Sequence, residues 1–345
     1  MTARFCQHCG RPHSAETKRC PRTQLPLDEE GICGSQIDRY VIEKLLGSGG
    51  FGAVYLARHA RTQARVAFKV LRPELVTEPT VLERFLREAT IAASVGSEHL
   101  VKVVDAEVTA DKVAFIAMEY VEGEDLKALL TRERRLHPAR AVDLTCQVLR
   151  GLAAAHDKGV VHRDIKPGNV FITRTHDVHG RERELAKVLD FGISKVVGRA
   201  AITAAGVTIG TPSYMAWEQF TNAHEVDERT DLYAVAAMLW ELLSGEKPYD
   251  AENIAALMEK VRHEDRRELR ELCPSLPVPL CAVVEKGLAK KRERRWQSAR
   301  EFCAALEKVT QLLDPAPPLA PHPDSVGTAK IPQPVDTHDA ETIKG

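Results

Sequence analysis

The sequence has almost no net charge: 48 Lys and Arg stand against 49 Asp and Glu over 345 residues, a formal balance of −1. No global field draws such a chain to nucleic acid or to anionic lipid, which argues against either as the main partner. Long apolar runs are also missing. The most hydrophobic stretch, residues 232–240, stops at Glu241 and is too short to span a bilayer. The opening residues, Met1-Thr2-Ala3-Arg4-Phe5-Cys6, run into polar sequence without the apolar core of a secretory signal. The expectation is a cytoplasmic protein with no membrane partner. Cysteine is sparse beyond the N-terminus: four of the eight lie in the first 33 residues and the others are scattered. Scattered thiols indicate buried side chains and clustered ones metal binding.

What remains is an ordinary globular composition, 44% hydrophobic and 28% charged, divided into three regions. Residues 1–34 are rich in Cys, His and Arg and poor in apolar side chains. Residues 38–311 alternate strand-like with helix-like patterns. The last segment, 312–345, carries seven prolines between Pro315 and Pro334 and reads as disordered, because it cannot bury enough surface to offset its ordering entropy. Within the middle region, 40–46, 53–57, 65–71 and 114–120 read as strands and 79–95 as a helix. Pro138 opens a second helix, with Val142, Cys146, Leu149 and Leu152 on one face, that ends before Gly159. Strands first and helices later indicate a small sheet-rich lobe followed by a larger helical one.

Four motifs carry chemistry. Gly47-Ser48-Gly49-Gly50-Phe51-Gly52-Ala53-Val54 is a glycine-rich turn between two strands, where backbone N–H groups can approach phosphates. A dinucleotide-binding loop would lead into a helix instead, whereas Val54-Tyr55-Leu56-Ala57 continues as strand. Lys69 ends the strand motif Val66-Ala67-Phe68-Lys69. Glu88 shares a helix face with Phe85, Ala89 and Ala92, and a carboxylate there needs a cation, for which Lys69 is the candidate. The segment His162-Arg163-Asp164-Ile165-Lys166-Pro167-Gly168-Asn169 supplies a carboxylate to orient an acceptor hydroxyl, a cation for a transferring phosphoryl group and an oxygen ligand for magnesium. Asp190-Phe191-Gly192 adds a second carboxylate for the metal.

In this order the motifs of residues 38–311 resemble a eukaryotic-type (Hanks-type) protein kinase domain of the serine/threonine class found in bacteria. The resemblance implies an α+β bilobal fold, with a small β-rich N-lobe at 38–118, a larger helical C-lobe at 122–311, and ATP between them. It also implies ATP with Mg2+ (or Mn2+), transfer to Ser/Thr hydroxyls of protein substrates, and a signalling role. Asp164, Lys166, Lys69 and Glu88 would be catalytic. Gly47, Ser48, Gly49, Gly50, Phe51, Gly52, Val54, Ala67, Lys69, Met118, Glu119, Val121, Asn169 and Asp190 would contact nucleotide, with Asn169 and Asp190 on the metal. Met118 would be the gatekeeper, Glu119 to Val121 the hinge, and Asp231 a buried brace for the catalytic loop. Thr211 would hydrogen-bond near Asp164 and Lys166.

Two departures from the pattern stand out. Ala216-Trp217-Glu218 replaces the usual Ala-Pro-Glu, with Arg295 the partner expected for Glu218. The 20 residues between Asn169 and Asp190 exceed the usual spacing, and 173–184 reads as an extended hairpin or solvated loop. Arg163, next to Asp164, calls for an anion. Thr208, ahead of Thr203, is the expected site of autophosphorylation, through a transient homodimer.

The N-terminal Cys6-Gln7-His8-Cys9-Gly10 is a knuckle suited to tetrahedral zinc, and Cys20-Pro21 resembles the second knuckle of a zinc ribbon. With no cysteine at position 23, the fourth ligand is Cys33, His13 or His8. A segment with so little core needs such a staple to fold.

Overall fold

The structure is a computed structural model that describes residues 3–5, 12–14, 19, 21–22, 32–48, 52–189, 212–221, 226–263 and 266–318, the backbone alone at 3–5, 12–14, 74, 84 and 88. A short antiparallel hairpin comes first, β1 (Ala3–Phe5) against β2 (Pro12–Ser14), with Arg4 opposite His13. The main sheet of the smaller lobe then follows: β3 (Gln36–Ile37), β4 (Tyr40–Ser48), β5 (Gly52–His59), β6 (Arg65–Leu71), β7 (Val103–Val108) and β8 (Ala114–Glu119). All pairs are antiparallel and the order is β3-β4-β5-β6-β8-β7.

Two apolar layers cover this sheet, as the period of two in its strands requires. On one face Phe68 stacks on Phe115 with ring centroids 4.5 Å apart, and Tyr40 packs against both. On the other lie two helices, α1 (Pro73–Val76) and α2 (Pro79–Ser94), both with proline in the first turn, where its missing N–H costs nothing. Phe85 and Ala89 of α2 are buried with Leu71, Ile116 and Met118.

The sheet reaches further toward the N-terminus than a start at residue 38. Ile32 and Ile37 are buried with Tyr40, Ile42 and Phe68, and Cys33 packs half-buried against the same cluster. Gly34 N–H donates to the Ile42 carbonyl (2.8 Å), Ile42 N–H to the Ser35 carbonyl (2.9 Å), and the Ser35 hydroxyl to the Ile32 carbonyl (2.6 Å).

The larger lobe is helical: α3 (Leu126–Glu133), α4 (Pro138–His156), α5 (Trp217–Thr221), α6 (Glu228–Ser244), α7 (Ile254–His263), α8 (Leu269–Leu272), α9 (Val278–Gly287) and α10 (Ala299–Thr310). The central α6 is buried nearly all round, so its sequence reads as an apolar run with no polar stripe. Among the described helices, none is long and apolar enough to cross a membrane. A small sheet lies at the lobe boundary, β11 (Glu182–Val188), β10 (Val170–His176) and β9 (Glu124–Asp125) in that spatial order. Most of 173–184 is thus the far half of a regular hairpin, turning at Asp177, whose carboxylate accepts the N–H groups of His179 (2.8 Å) and Arg181 (2.9 Å). Its Glu184 receives a two-pronged ion pair from Arg140 of α4 (2.8 and 2.7 Å), which fixes the hairpin to the helical core.

Candidate active site

The site is assembled on the loop between α4 and β10. Asp164 lies at its centre: Lys166 Nζ donates to Asp164 Oδ2 (2.8 Å), and Asn169 Nδ2 donates both to that oxygen (3.0 Å) and to the Asp164 carbonyl (2.7 Å). Asn169 closes the short turn Pro167–Asn169 that leads into β10, and its carbonyl accepts from the N–H of Leu189 (2.8 Å), just past the end of β11. That bond carries the chain to position 190. Because the Asn169 amide nitrogen is committed to Asp164, its Oδ1 is the atom left for a hard cation, and magnesium takes oxygen ligands. Asp190 lies outside the described residues. Among the described residues no cluster of three or more His, Cys, Asp or Glu could by itself hold a metal ion.

Asp231, fully buried on the first turn of α6, fixes the loop's shape. Its carboxylate accepts from His162 N–H (2.8 Å), Arg163 N–H (2.7 Å) and His156 Nε2 (2.9 Å). Arg163 has φ of 65°, a left-handed conformation that costs a non-glycine residue about 1 kcal/mol or more. The surroundings hold it there from both sides: Asp231 takes its N–H and Gln219 Nε2 donates to its carbonyl (2.9 Å). His162 Nδ1 accepts from Asp164 N–H (3.2 Å), so its proton is on Nε2 and points at the Leu189 carbonyl (2.8 Å). The imidazole therefore ties the loop to the strand leading to Asp190. His156 and Gln219 were not legible as site residues in the sequence. His156 offered one faint signal, a polar residue closing an apolar helix six positions before His162.

On the small lobe, Lys69 is half-buried on β6, with Val54 opposite it on β5 and Ile116 on β8. Position 88 falls between the buried Phe85 and Ala89 of α2, and the Glu88 side chain lies outside the described residues. Of the glycine loop, Gly47, Ser48, Gly52 and Val54 are described, while Gly49, Gly50 and Phe51 lie outside. A β-carbon at Gly52 would stand 1.9 Å from the Val70 carbonyl oxygen, so glycine is required there by the neighbouring strand. At Gly47 a β-carbon would meet nothing within 4 Å, which leaves that side open.

Ala67 and Met118 are register partners, and both pack with Val121 and Leu189 into one apolar wall. Glu119 straddles the lobes. Its carboxylate accepts from Lys102 N–H (2.9 Å) and from Lys187 Nζ of β11 (2.7 Å), so Glu119 fastens the hinge to the large lobe.

Below the catalytic loop, Glu218 of α5 meets the fully buried Arg295 through two hydrogen bonds (2.7 and 3.0 Å), and Thr230 adds a third to the carboxylate (2.8 Å). Burial works to raise the Glu218 pKa, but the hydrogen bonds and charge of Arg295 outweigh it and hold the carboxyl below its ordinary range. Trp217 is half-buried, with Lys290 Nζ 5.7 Å from its ring centre. Ser194, Thr203, Thr208 and Thr211 lie outside the described residues, as do Cys6, Cys9 and Cys20.

A sheet lobe with a glycine-bearing hairpin, hinged to a helical lobe that presents a carboxylate, a lysine and an asparagine on one braced loop, defines a nucleotide-dependent phosphotransferase scaffold. A family model of the protein kinase domain matches residues 40–306, and the chain belongs to that family. It is 38% identical over 288 residues to the serine/threonine-protein kinase PknH of Mycobacterium bovis, covering 83% of this chain and 46% of the relative. To pkn3 of Myxococcus xanthus it is 35% identical over 307 residues, covering 85% of this chain and 54% of that one. The chain thus spans about half the length of the curated relatives it matches. A crystal structure of the Mycobacterium tuberculosis PknI kinase domain superposes with a TM-score of 0.62 at 29% identity, covering 80% of this chain and 98% of that domain.

Proposed function

We infer that the protein is a serine/threonine protein kinase, transferring the γ-phosphoryl group of ATP to hydroxyls of protein substrates. The observation that carries this reading is the Asp164–Lys166–Asn169 constellation, closed by hydrogen bonds and braced from beneath by Asp231. Asp164 accepts the hydrogen bond of the incoming hydroxyl and aims its oxygen at phosphorus. Lys166, held on the same carboxylate, brings its charge to the group in transit. The hydroxyl proton passes to Asp164 as the new P–O ester bond forms and the bond from the γ-phosphorus to the β,γ-bridging oxygen breaks, releasing ADP. Asn169 Oδ1 and the Asp190 carboxylate would hold Mg2+ (or Mn2+), which would neutralise phosphate charge when bound. Lys69, steadied by Glu88, grips the phosphates from the small lobe. The Gly47–Gly52 turn covers them, and Ala67, Met118 and Val121 line the adenine side. The test is incubation with labelled ATP, magnesium and a generic basic protein beside an Asp164→Asn control. Label transfer by the parent and not by the control is the expected result.

The segment before the kinase domain is proposed as a zinc module and interaction site. What supports this is the Cys6-Gln7-His8-Cys9 spacing, set in sequence between the paired strands β1 and β2, with Cys20 and one of Cys33, His13 or His8 the remaining candidate ligands. Elemental analysis of protein purified without added metal should find about one zinc per chain, lost on joint Cys6→Ser and Cys9→Ser substitution. Autophosphorylation at Thr208 or Thr203, through a transient homodimer, is proposed as the activating step. It rests on the position of Arg163 beside Asp164 and is tested by phosphosite mapping after incubation with ATP.

A further inference from the structure

Two thiols that the phosphotransfer site does not use face each other inside the large lobe. Cys146 lies midway along α4 and Cys303 near the start of α10, and both are buried in the helical core. Cys146 Sγ is 3.9 Å from the Cys303 carbonyl and Cys303 Sγ is 3.8 Å from the Cys146 carbonyl, so each side chain projects onto the other's backbone. Their surroundings differ. Cys303 Sγ also approaches Glu307 Oε1 (3.5 Å), and Glu307 is paired with Arg150 (2.8 Å), both about half exposed. A surface ion pair of this kind is worth about 1 kcal/mol at most, so its opening is frequent and lets a small solute approach the two thiols from the Cys303 side. Two thiols whose side chains reach each other's backbone, one of them beside a surface ion pair, are placed so that oxidation of one can be followed by attack of the other.

We propose that Cys146 and Cys303 form an oxidative modification site, in which a hydroperoxide converts the pair into an internal disulfide stapling α4 to α10. Cys303 sulfur attacks one oxygen of hydrogen peroxide, the O–O bond breaks, and the departing hydroxide takes the thiol proton as water. The sulfur is left as sulfenic acid. Cys146 sulfur then attacks it, the S–O bond breaks as the S–S bond forms, and hydroxide leaves with the Cys146 proton as a second water. Two thiols are oxidised by two electrons and one peroxide is reduced.

The experiment uses the full chain, exposed to hydrogen peroxide in native buffer, quenched in acid, then denatured with an alkylating agent and digested. A linked peptide pair containing Cys146 and Cys303, two hydrogens lighter than the sum of the separate peptides, is expected. Cys273 and Cys281, buried elsewhere in the same lobe, should remain alkylatable and serve as internal controls. The staple closes a span of 157 residues, so the oxidised chain should melt about 10 °C higher than the reduced one, with no such shift in Cys303→Ser. Recovery of Cys146 and Cys303 both alkylated, or of Cys303 over-oxidised with Cys146 untouched, overturns the proposal. The mapping is made on the unsubstituted protein, so it decides the matter even if a cysteine variant folds poorly.

Discussion

Asp164 and Lys69 separate chemistry from binding. In the proposed mechanism Asp164 meets the acceptor hydroxyl, a contact that matters most at the transition state, so Asp164→Asn should lower kcat by at least about 100-fold with ATP affinity little changed. Single-turnover kinetics beside nucleotide titration makes the distinction, and near-parental turnover would remove Asp164 from the mechanism. Lys69→Met should abolish transfer without unfolding the chain, while Glu88→Gln should slow it less, since it loosens the lysine and does not delete it. Equal, parental rates in both would break the pairing. Asp231 has a different kind of importance. It touches no substrate, yet Asp231→Asn turns one of two acceptor oxygens into a donor facing N–H groups. We expect a loss of about 2–3 kcal/mol in stability and slower turnover with KM for ATP nearly unchanged, because the loop that holds Asp164 relaxes.

Among the elements, the Glu218–Arg295 clasp between α5 and the turn before α10 invites a test by pH. The folded carboxyl is depressed below its ordinary 4.5, so its stabilisation is complete above that value and is lost as pH falls through the lower folded value. Glu218→Gln should therefore flatten the fall in stability below about pH 4.5. At neutral pH it should cost about 3–5 kcal/mol, since Arg295 would be left buried without its counter-charge. Thermal melts across pH 3–7 check both. The small lobe offers a second measurement. Removing residues 1–31 leaves Ile32, Ser35 and Ile37 on the sheet, whereas removing 1–38 strips two buried isoleucines and should cost about 3 kcal/mol or more. Similar melting temperatures for the two truncations would mean that β3 adds nothing.

At the scale of the molecule, several polar ties join the described residues of the two lobes: Glu119 with Lys187, Glu98 with Arg183, Arg65 with Glu122, and the parallel bridge between Leu100 and Val188. Lys187→Ala should leave global stability within about 1 kcal/mol of the parent, because only one of these ties is lost and the Glu119 carboxylate, 32% exposed, keeps Lys102 N–H and water as partners. It should change nucleotide affinity more than melting temperature, since Glu119 belongs to the hinge. Calorimetric titration with ATP and a melt of the same variant separate the two effects.

Strands β4, β5, β6 and β8, helices α2 and α4 and the loop from His162 to Asn169 were legible because each depends on local pattern: alternation, a proline at a helix start, a fixed order of polar residues in one short segment, whereas β7 (Val103–Val108) was missed. The pairing of Glu218 with Arg295, 77 positions apart, was expected through the family resemblance and not from any local pattern, and the structure brings the two together. What the sequence could not disclose depends on approach across distance. Ile32 and Ile37 sit in a segment whose composition resembles its polar neighbours, and only the sheet edge beside Tyr40 gives them a core. Gly52 looked like a phosphate-loop glycine, and the third dimension adds that the carbonyl of Val70 leaves no room for a side chain. His156 and Gln219 become site residues only when α6 brings Asp231 beneath the loop and α5 lies alongside it. The Cys146–Cys303 contact joins residues 157 positions apart, and nothing local in either helix marks it. Periodicity fixes which face of an element is buried, but helix packing decides which side chains meet there.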